Sequence, residues 1–185
     1  DILNLVYLCN YYKLDEVAQY WQSVIEINKW QKSRISKVIV KYLFGNLSGK
    51  KIAIFGFAFK ANTNDFRESP AYYISKELLD NGANLIIHDP QVSYQQINSA
   101  LNSISKKIEN ENKFCFTNDL NSAFEEVDAI VILTEWEEYK NLNWENISKL
   151  MRYPAWVFDT RAILVKSDIE KLGMKIWSLG DGHIS

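Results

Sequence analysis

Six short apolar runs between residues 51 and 179 constrain the fold of this sequence more than any other feature. Each run is continuous, as in strands covered on both faces of a parallel sheet, and helical patterns separate most of them. The runs are Lys51–Phe55, Asn84–His88, Phe114–Phe116, Ala129–Leu133, Trp156–Phe158 and Lys175–Leu179. Such alternation predicts an α/β fold with a doubly wound, mostly parallel sheet of about six strands.

The clearest helix of this region has a start and a stop signal. Ser69 is a candidate N-cap, Pro70 stands at the first helical position, and Gly82 follows the end. Further helices are expected to start near Asp119, Trp144 and Ser167. The polar stretch 102–113 has no turn residues and is interpreted as a surface insertion or a mobile loop.

Two helical patterns precede the first predicted strand. Residues 2–12 are expected to form a short buried helix, and a second helix, with Asp15 as its N-cap, is expected to run to Gly45. About 30 residues would span roughly 45 Å. Ile27 and Trp30 fall outside the main apolar stripe, so a partner subunit, or a further part of the same polypeptide, is expected to cover a second apolar face. The expected division is residues 1–46 and 47–185.

The charge of the chain limits what it can bind. A net charge of −2 and a pI near 5.8 give no field that would gather nucleic acid or an anionic membrane. No apolar run reaches the ~18 residues of a membrane span. Cys9 and Cys115 are expected to be buried thiols of a protein from a reducing compartment, the cytoplasm by default. An anionic ligand must therefore be met by a few placed cations.

The turns that follow the strands are the places to look for those cations, because ligands of such sheets bind beyond the carboxyl ends of the strands. Gly56 follows the first strand without the second and third glycines of a dinucleotide-binding turn, so NAD is not expected to bind here in the usual way. Lys60 in this turn suits a phosphate, and Arg161 after the fifth strand suits a diphosphate or a carbonyl. The alternative is a solvated loop whose cations have no ligand.

The residues after the second strand have a structural alternative as well. His88 is interpreted as a strand residue rather than an acid or base. Asp89 occupies a place where related folds hold a ribose, but capping the next turn is the favoured role. No zinc spacing, serine triad or paired carboxylates rise above chance.

Several separated blocks, in the same order, resemble the UDP-glucose/GDP-mannose dehydrogenase family. The longest is the run KIAIFGFAFK at 51–60, and it is followed by NTND at 62–65 and RESP at 67–70. The blocks DILNLVYLC at 1–9, TEW at 134–136 and FDTR at 158–161 complete the resemblance over nearly the whole chain. The first of these looks closest to the members that act on UDP-glucose.

The resemblance implies a Rossmann-like domain that holds a UDP-sugar and dimerises through the long helix. The whole enzyme would use NAD to oxidise the sugar C6 alcohol in two steps, from UDP-glucose to UDP-glucuronate, through a cysteine that precedes Asp1. Asp1 would help to handle the hydrolytic water. Phe59, Lys60 and Arg161 would contact the nucleotide sugar, and Arg67 would reach across to NAD, held mainly by a domain outside this sequence.

Three alternatives stay open at this point. The family resemblance does not fix the sugar, which could be an N-acetylated UDP-sugar or GDP-mannose. A free-standing UDP-sugar-binding module would need the same cations but no catalytic cysteine. The third alternative is an oligomerisation unit whose ligand site is vestigial.

Overall fold

The computed structural model describes residues 2–102 and 114–180 of the chain. Asp1 and residues 103–113, on which predictions were made above, lie outside the described residues. The described helices are α1 Ile2–Tyr11, α2 Asp15–Tyr42, α3 Pro70–Asp80, α4 Tyr94–Asn102, α5 Glu137–Lys140, α6 Trp144–Leu150 and α7 Lys166–Lys171. The strands are β1 Lys51–Phe55, β2 Asn84–His88, β3 Phe114–Phe116, β4 Ala129–Ile132, β5 Trp156–Asp159 and β6 Lys175–Ser178.

The six strands form one sheet in which every neighbouring pair is parallel. Their order is β3-β2-β1-β4-β5-β6. The chain moves outward from β1 through β2 and β3, then returns to place β4 on the other side of β1, where Ile52 pairs with both Leu85 and Ala129. This reversal is the switch point at which doubly wound sheets bind ligands. The predicted fold class is confirmed.

Burial explains why the central strands are continuously apolar. Every residue of β4 and β5 is buried, as are the last four residues of β1 and of β2. The predicted strands match within one residue at each end. β5 includes Asp159, a fully buried carboxylate that the apolar pattern did not include.

The start and stop signals of α3 act as predicted. The Ser69 hydroxyl accepts a hydrogen bond from the Ala71 N–H at 3.2 Å, and Pro70 opens the helix. Gly82 has a φ of +90° just beyond the C-cap. α6 and α7 begin at or next to the predicted positions, whereas the helix expected near Asp119 is a 3₁₀ turn at Asn121–Phe124.

The first two helices differ from the predictions. α1 has no buried residue, so the prediction of a buried helix is wrong: its only extensive contact in the described chain is with α2, which cannot enclose it. Asp15 lies in the first turn of α2, and Leu14 holds the N-cap position without a side-chain hydrogen bond. Asp15 therefore places a negative charge in the first turn, near the positive end of the helix dipole, instead of capping the helix.

The two halves of α2 have different surroundings. Ile35 and Ile39 in its C-terminal half, with Leu43 just beyond, are part of the core under the sheet. Further toward the N-terminus, Ile27 is 62% and Trp30, near the middle of the helix, is 56% exposed. A helix of 28 residues is about 42 Å long, so much of it extends beyond the sheet domain.

Neither cysteine is fully buried, which corrects the prediction. Cys9 is partly buried in α1, and Cys115 is exposed because β3 is an edge strand. Both are free thiols. Among the residues that the structure describes, no helix combines the length and the apolar character needed to span a bilayer.

Candidate functional site

The turn after β1 passes so close to the turn after β4 that only glycine fits. Gly56 has a φ of +90°, and a Cβ placed there would lie 2.3 Å from the Thr134 Cβ. The Thr134 hydroxyl donates a hydrogen bond to the Ala58 carbonyl at 2.7 Å. These contacts join the two turns at the switch point of the sheet.

Asp89, which follows β2, is a buried carboxylate that accepts hydrogen bonds with both oxygens. Its Oδ1 accepts from the N–H groups of Gln91 and Val92, each at 2.8 Å, so the predicted cap is confirmed. Its Oδ2 accepts from the N–H groups of Phe57 at 2.6 Å and Ala58 at 2.9 Å. The sequence alone did not reveal this second role, because the pairing of β1 with β2 is what brings Asp89 to the first turn.

The same Oδ2 also accepts from the indole nitrogen of Trp136 at 3.3 Å. Trp136 follows β4 and is buried, so one carboxylate oxygen joins the turns after β1, β2 and β4. The block TEW at 134–136 is thus structural at its two ends: Thr134 contacts the β1 turn and Trp136 contacts Asp89.

Arg161, after β5, reaches the β1 turn. Its Nε donates to the Leu133 carbonyl at 2.7 Å, and its Nη2 donates to the Phe59 carbonyl at 3.3 Å. The turn that presents Arg161 is shaped by Asp159, whose oxygens accept from the N–H groups of Arg161 at 3.0 Å and Leu164 at 2.9 Å. Two residues predicted for the site, Phe59 and Arg161, are therefore in contact.

Glu135 is an anionic neighbour that sequence reasoning did not single out. Its Oε2 lies 3.2 Å from the Arg161 Nε, and both side chains are about one-third exposed. The ion pair with Glu135 neutralises part of the charge of Arg161, and part of the guanidinium stays open to solvent. Lys60, next to Phe59, is exposed, and its ammonium has no hydrogen bond or ion pair to any residue that the structure describes. It is therefore available for an anion.

Arg67 is the site residue that the structure does not bring to the others. Its guanidinium forms a two-pronged pair with the Asp65 carboxylate, with both distances at 2.9 Å, and it is 84% exposed. Hydrogen bonds from Arg67 lower the pKa of Asp65 to about 2, so the pair is charged across the neutral range. The Asp65 carbonyl accepts from the Phe59 N–H at 2.8 Å, which fixes the loop between the two.

His88 lies in the core beneath these turns, as its interpretation as a strand residue predicts. Its Nδ1 is 3.0 Å from the Tyr139 hydroxyl, which also donates to the His88 carbonyl at 3.1 Å. Burial lowers the pKa of His88 and raises that of Tyr139. Both groups are therefore neutral near pH 7 and act in packing.

A cavity of about 950 Å³ separates the middle of α2 from the β1–α3 loop. Ile25, Trp30, Phe59 and Tyr73 are among the residues that line it. At one side, Glu68 accepts from Lys32 at 3.1 Å and from the Tyr73 hydroxyl at 3.0 Å, which ties α2 to the loop. The cavity thus reaches from the long helix to the turn that carries Lys60.

The described residues offer no cluster of three or more metal ligands. What the site offers is a pair of cations, Lys60 and Arg161, at the carboxyl edge of the sheet. A planar guanidinium and a flexible ammonium can together hold the oxygens of a diphosphate. Asp1, the predicted catalytic residue, is outside the described residues.

Comparison with known proteins places this geometry in a family. The sequence model of the UDP-glucose/GDP-mannose dehydrogenase family, UDP binding domain, matches residues 53–166. The chain is 42% identical over 180 residues to the UDP-glucose 6-dehydrogenase of Caenorhabditis elegans, covering 97% of this chain and 37% of that protein. It is 43% identical over 184 residues to the Bos taurus enzyme of the same name, with the same coverage.

Solved structures agree with the fold. The structure of a UDP-glucose dehydrogenase from Pyrobaculum islandicum matches with a TM-score of 0.73 at 21% identity, over 96% of this chain and 35% of that one. At this identity the likeness shows the fold alone. The chain thus spans little more than a third of its relatives' length. The family model matches more than half of the chain, and the chain therefore belongs to the UDP-glucose/GDP-mannose dehydrogenase family.

Proposed function

We propose that this chain is the UDP-sugar-binding C-terminal part of an NAD-dependent UDP-glucose 6-dehydrogenase. In this proposal, residues 47–185 hold the nucleotide, and residues 1–46 form a helical dimerisation segment. Phe59, Lys60 and Arg161 contact the UDP-sugar. The relatives at 42–43% identity are named for UDP-glucose, which favours this sugar over UDP-N-acetyl sugars and GDP-mannose.

One observation carries the proposal: the contact between Arg161 and the β1 turn. The hydrogen bond from Arg161 to the Phe59 carbonyl brings the cation of the fifth strand to the residue that precedes Lys60. Two cations thus follow separate strands at the same edge of the sheet, and the guanidinium of one reaches the residue next to the other, in a chain whose net charge is −2. A diphosphate is the ligand class that suits such a pair.

Calorimetry with UDP, UDP-glucose, UDP-N-acetylglucosamine and GDP-mannose tests the proposal on the 185-residue chain. We expect UDP and UDP-glucose to bind and GDP-mannose to bind at least ~10-fold more weakly, a difference of about 1.4 kcal/mol. Absence of UDP binding at millimolar concentrations would contradict the proposed function. Preferential binding of GDP-mannose would instead reassign the nucleotide.

The remaining catalytic parts belong to the whole enzyme in this proposal. NAD and the cysteine nucleophile are assigned to the part of the relatives that this chain does not span, with Asp1 near the hydrolytic water and Arg67 facing the cofactor. Arg67 is exposed and paired with Asp65, so in this proposal it lies on the surface, outside the diphosphate site, where a cofactor could contact it. We also place the enzyme in the cytoplasm, where its two free thiols would persist.

Measuring NADH formation tests the assignment of the nucleophile and the NAD site to the part of the enzyme outside this chain. The whole enzyme is expected to reduce NAD with UDP-glucose, and the 185-residue chain alone is expected to be inactive. NADH production by the isolated chain would show that the chemistry lies within it. Such a result would overturn the division of the enzyme that is proposed here.

We propose further that two copies pair through α2. Exposed apolar residues lie along its N-terminal half and its middle, including Tyr20, Ile27 and Trp30. Exposed apolar patches of this kind mark interfaces, and a two-fold pair would let one patch cover both copies. Light scattering behind a sizing column should give about twice 21.5 kDa.

The variant Trp30→Glu should shift that mass toward one copy, because it places a charge in the apolar interface. Tyr153→Glu is the matched control, since Tyr153 is 86% exposed but lies in the loop before β5. A wild-type chain that stays monomeric at about 100 μM would assign the apolar face to another part of the whole polypeptide.

A further inference from the structure

We propose that Asp89 is a positioning residue that acts as an internal anion: it takes the backbone N–H groups of the β1 turn and so leaves the ligand diphosphate to side chains. In dinucleotide-binding turns, the N–H groups after the first strand, with the N-terminus of the next helix, face the phosphates. This inference rests on the proposed function and adds to it how the UDP-sugar is held.

The hydrogen bonds of the β1 turn carry the argument. The N–H groups of Phe57 and Ala58 both point to Asp89 Oδ2, at 2.6 and 2.9 Å. Asp89 is 3% exposed, so the carboxylate lies inside the protein rather than at the ligand surface. Charge-assisted hydrogen bonds of this length are among the stronger ones in proteins, and an external anion would have to displace them.

The N-terminus of α3 is also closed to an anion. Residues 56–69 separate it from β1, so the helix does not follow the turn directly as it does in a dinucleotide-binding unit. The Ala71 N–H donates to the Ser69 hydroxyl, and the Tyr72 N–H donates to the Ser69 carbonyl. Both backbone sources of positive potential at this edge are thus occupied from within.

The carboxylate of Asp89 is balanced without using a cation. Its five donors are four backbone N–H groups and the Trp136 indole, and none of the ion pairs of the described residues includes it. Lys60 and Arg161 are therefore not drawn inward to neutralise it. Asp89 thus fixes the backbone conformation of the β1 turn without taking up either cation of the site.

Calorimetry with UDP on the 185-residue chain tests this inference through Asp89→Asn. The amide keeps the shape of the side chain but brings an NH₂ group against N–H donors. The β1 turn should therefore lose its fixed backbone conformation, and UDP should bind at least ~10-fold more weakly. The matched control is Asp128→Asn, because Asp128 accepts the Lys51 N–H at 2.9 Å at the opposite end of β1. Both variants should melt at lower temperature, but the control should bind UDP within about 2-fold of the wild type.

Equal UDP affinity of the wild type and a folded Asp89→Asn variant would overturn the inference and leave the proposed function intact. An equal loss of affinity in both variants would also overturn it, since the effect would then reflect stability alone. If the wild type does not bind UDP, the proposed function fails and the inference fails with it.

A measurement on the wild type applies even where the variants do not fold. In ¹⁵N-resolved spectra with added UDP, the side chains of Lys60 and Arg161 should shift, while the amides of Phe57 and Ala58 should stay protected from hydrogen exchange. Exchange and strong shifts at these two amides on UDP addition would show that the backbone binds the phosphates, which would overturn the inference.

Discussion

The two edges of the sheet use acidic residues in different ways. At the amino edge, Asp128 accepts the Lys51 N–H and pairs with two cations, Lys50 at 3.0 Å and Arg152 at 3.8 Å. At the carboxyl edge, Asp89 and Asp159 accept from N–H groups, and neither forms an ion pair among the described residues. The cations Lys50 and Arg152 at the amino edge are thus paired with an acid within the chain.

The consequence is a difference in available charge. Lys60 at the carboxyl edge has no partner among the described residues, and Arg161 shares its guanidinium between two carbonyl oxygens and Glu135. Cations that remain after the acids are satisfied can attract an anion, whereas those paired with acids mainly stabilise the fold. The comparison assigns ligand binding to one edge and stability to the other.

The largest expected effect comes from a variant that separates the turns of the carboxyl edge. Gly56→Ala would place a Cβ 2.3 Å from Thr134 at a φ of +90°, and we expect a loss of about 3 kcal/mol or more in the free energy of unfolding. Gly173→Ala is the control, because its φ of +79° is similar but no atom lies within 4 Å of its Cβ. It should cost about 1 kcal/mol. Urea unfolding of both variants measures the difference, and equal losses would contradict the close approach.

A smaller effect should separate the cations of the two edges. Arg161→Ala and Lys60→Ala should each weaken UDP binding about 10-fold, or about 1.4 kcal/mol, because each removes a charge from the site. Arg152→Ala removes a partly exposed cation from the amino edge and should leave UDP affinity within about 2-fold. Calorimetry at one ionic strength measures all three variants. Unchanged UDP affinity in both Arg161→Ala and Lys60→Ala would contradict the assignment of ligand binding to the carboxyl edge.

The smallest expected effect is the pH dependence of the core beneath the carboxyl edge. Burial holds the pKa of His88 below its ordinary 6.5, so the unfolded chain takes up a proton first as the pH falls. The stability from neutral His88 is fully present above pH 6.5 and is lost as the pH falls toward the lowered pKa. The slope cannot exceed about 1.4 kcal/mol per pH unit for one proton.

Urea unfolding between pH 7.5 and 5.5 measures this slope, with His88→Gln as the comparison. The variant should lose stability overall but should show a flatter pH dependence than the wild type. The same slope in both proteins would show that the dependence comes from other groups.

The sheet could be predicted from sequence because its signals are local. Continuous apolar runs such as Ala129–Leu133 are typical of strands buried on both faces, and Ser69 with Pro70 marks a helix start. The order of the strands, in which β4 returns beside β1, follows from contacts between distant residues. The family resemblance, together with the alternation of strands and helices, led to the expectation of a Rossmann-like domain, but it gave no order of strands.

The errors arose where burial depends on what lies beside an element. α1 has the apolar pattern of a buried helix, but only α2 covers it in this chain. Cys115 lies in an apolar run, but β3 is an edge strand and leaves it exposed. Composition reports how apolar a segment is and does not report its neighbours.

The site was predictable in part for the same reason. Lys60 and Arg161 could be selected because each cation follows a strand. The second role of Asp89 and the pairing of Glu135 with Arg161 depend on the parallel register of β1, β2 and β4, which brings residues tens of positions apart into contact. No spacing in the sequence carries that information.

A crystal structure of this chain with UDP tests the central claim most directly. The account predicts the diphosphate within about 3.5 Å of both the Lys60 ammonium and the Arg161 guanidinium, at hydrogen-bond distance, with Asp89 still bonded to the Phe57 and Ala58 N–H groups. A diphosphate at the amino edge beside Lys50 and Arg152, or one bound by the backbone of the β1 turn, would contradict it.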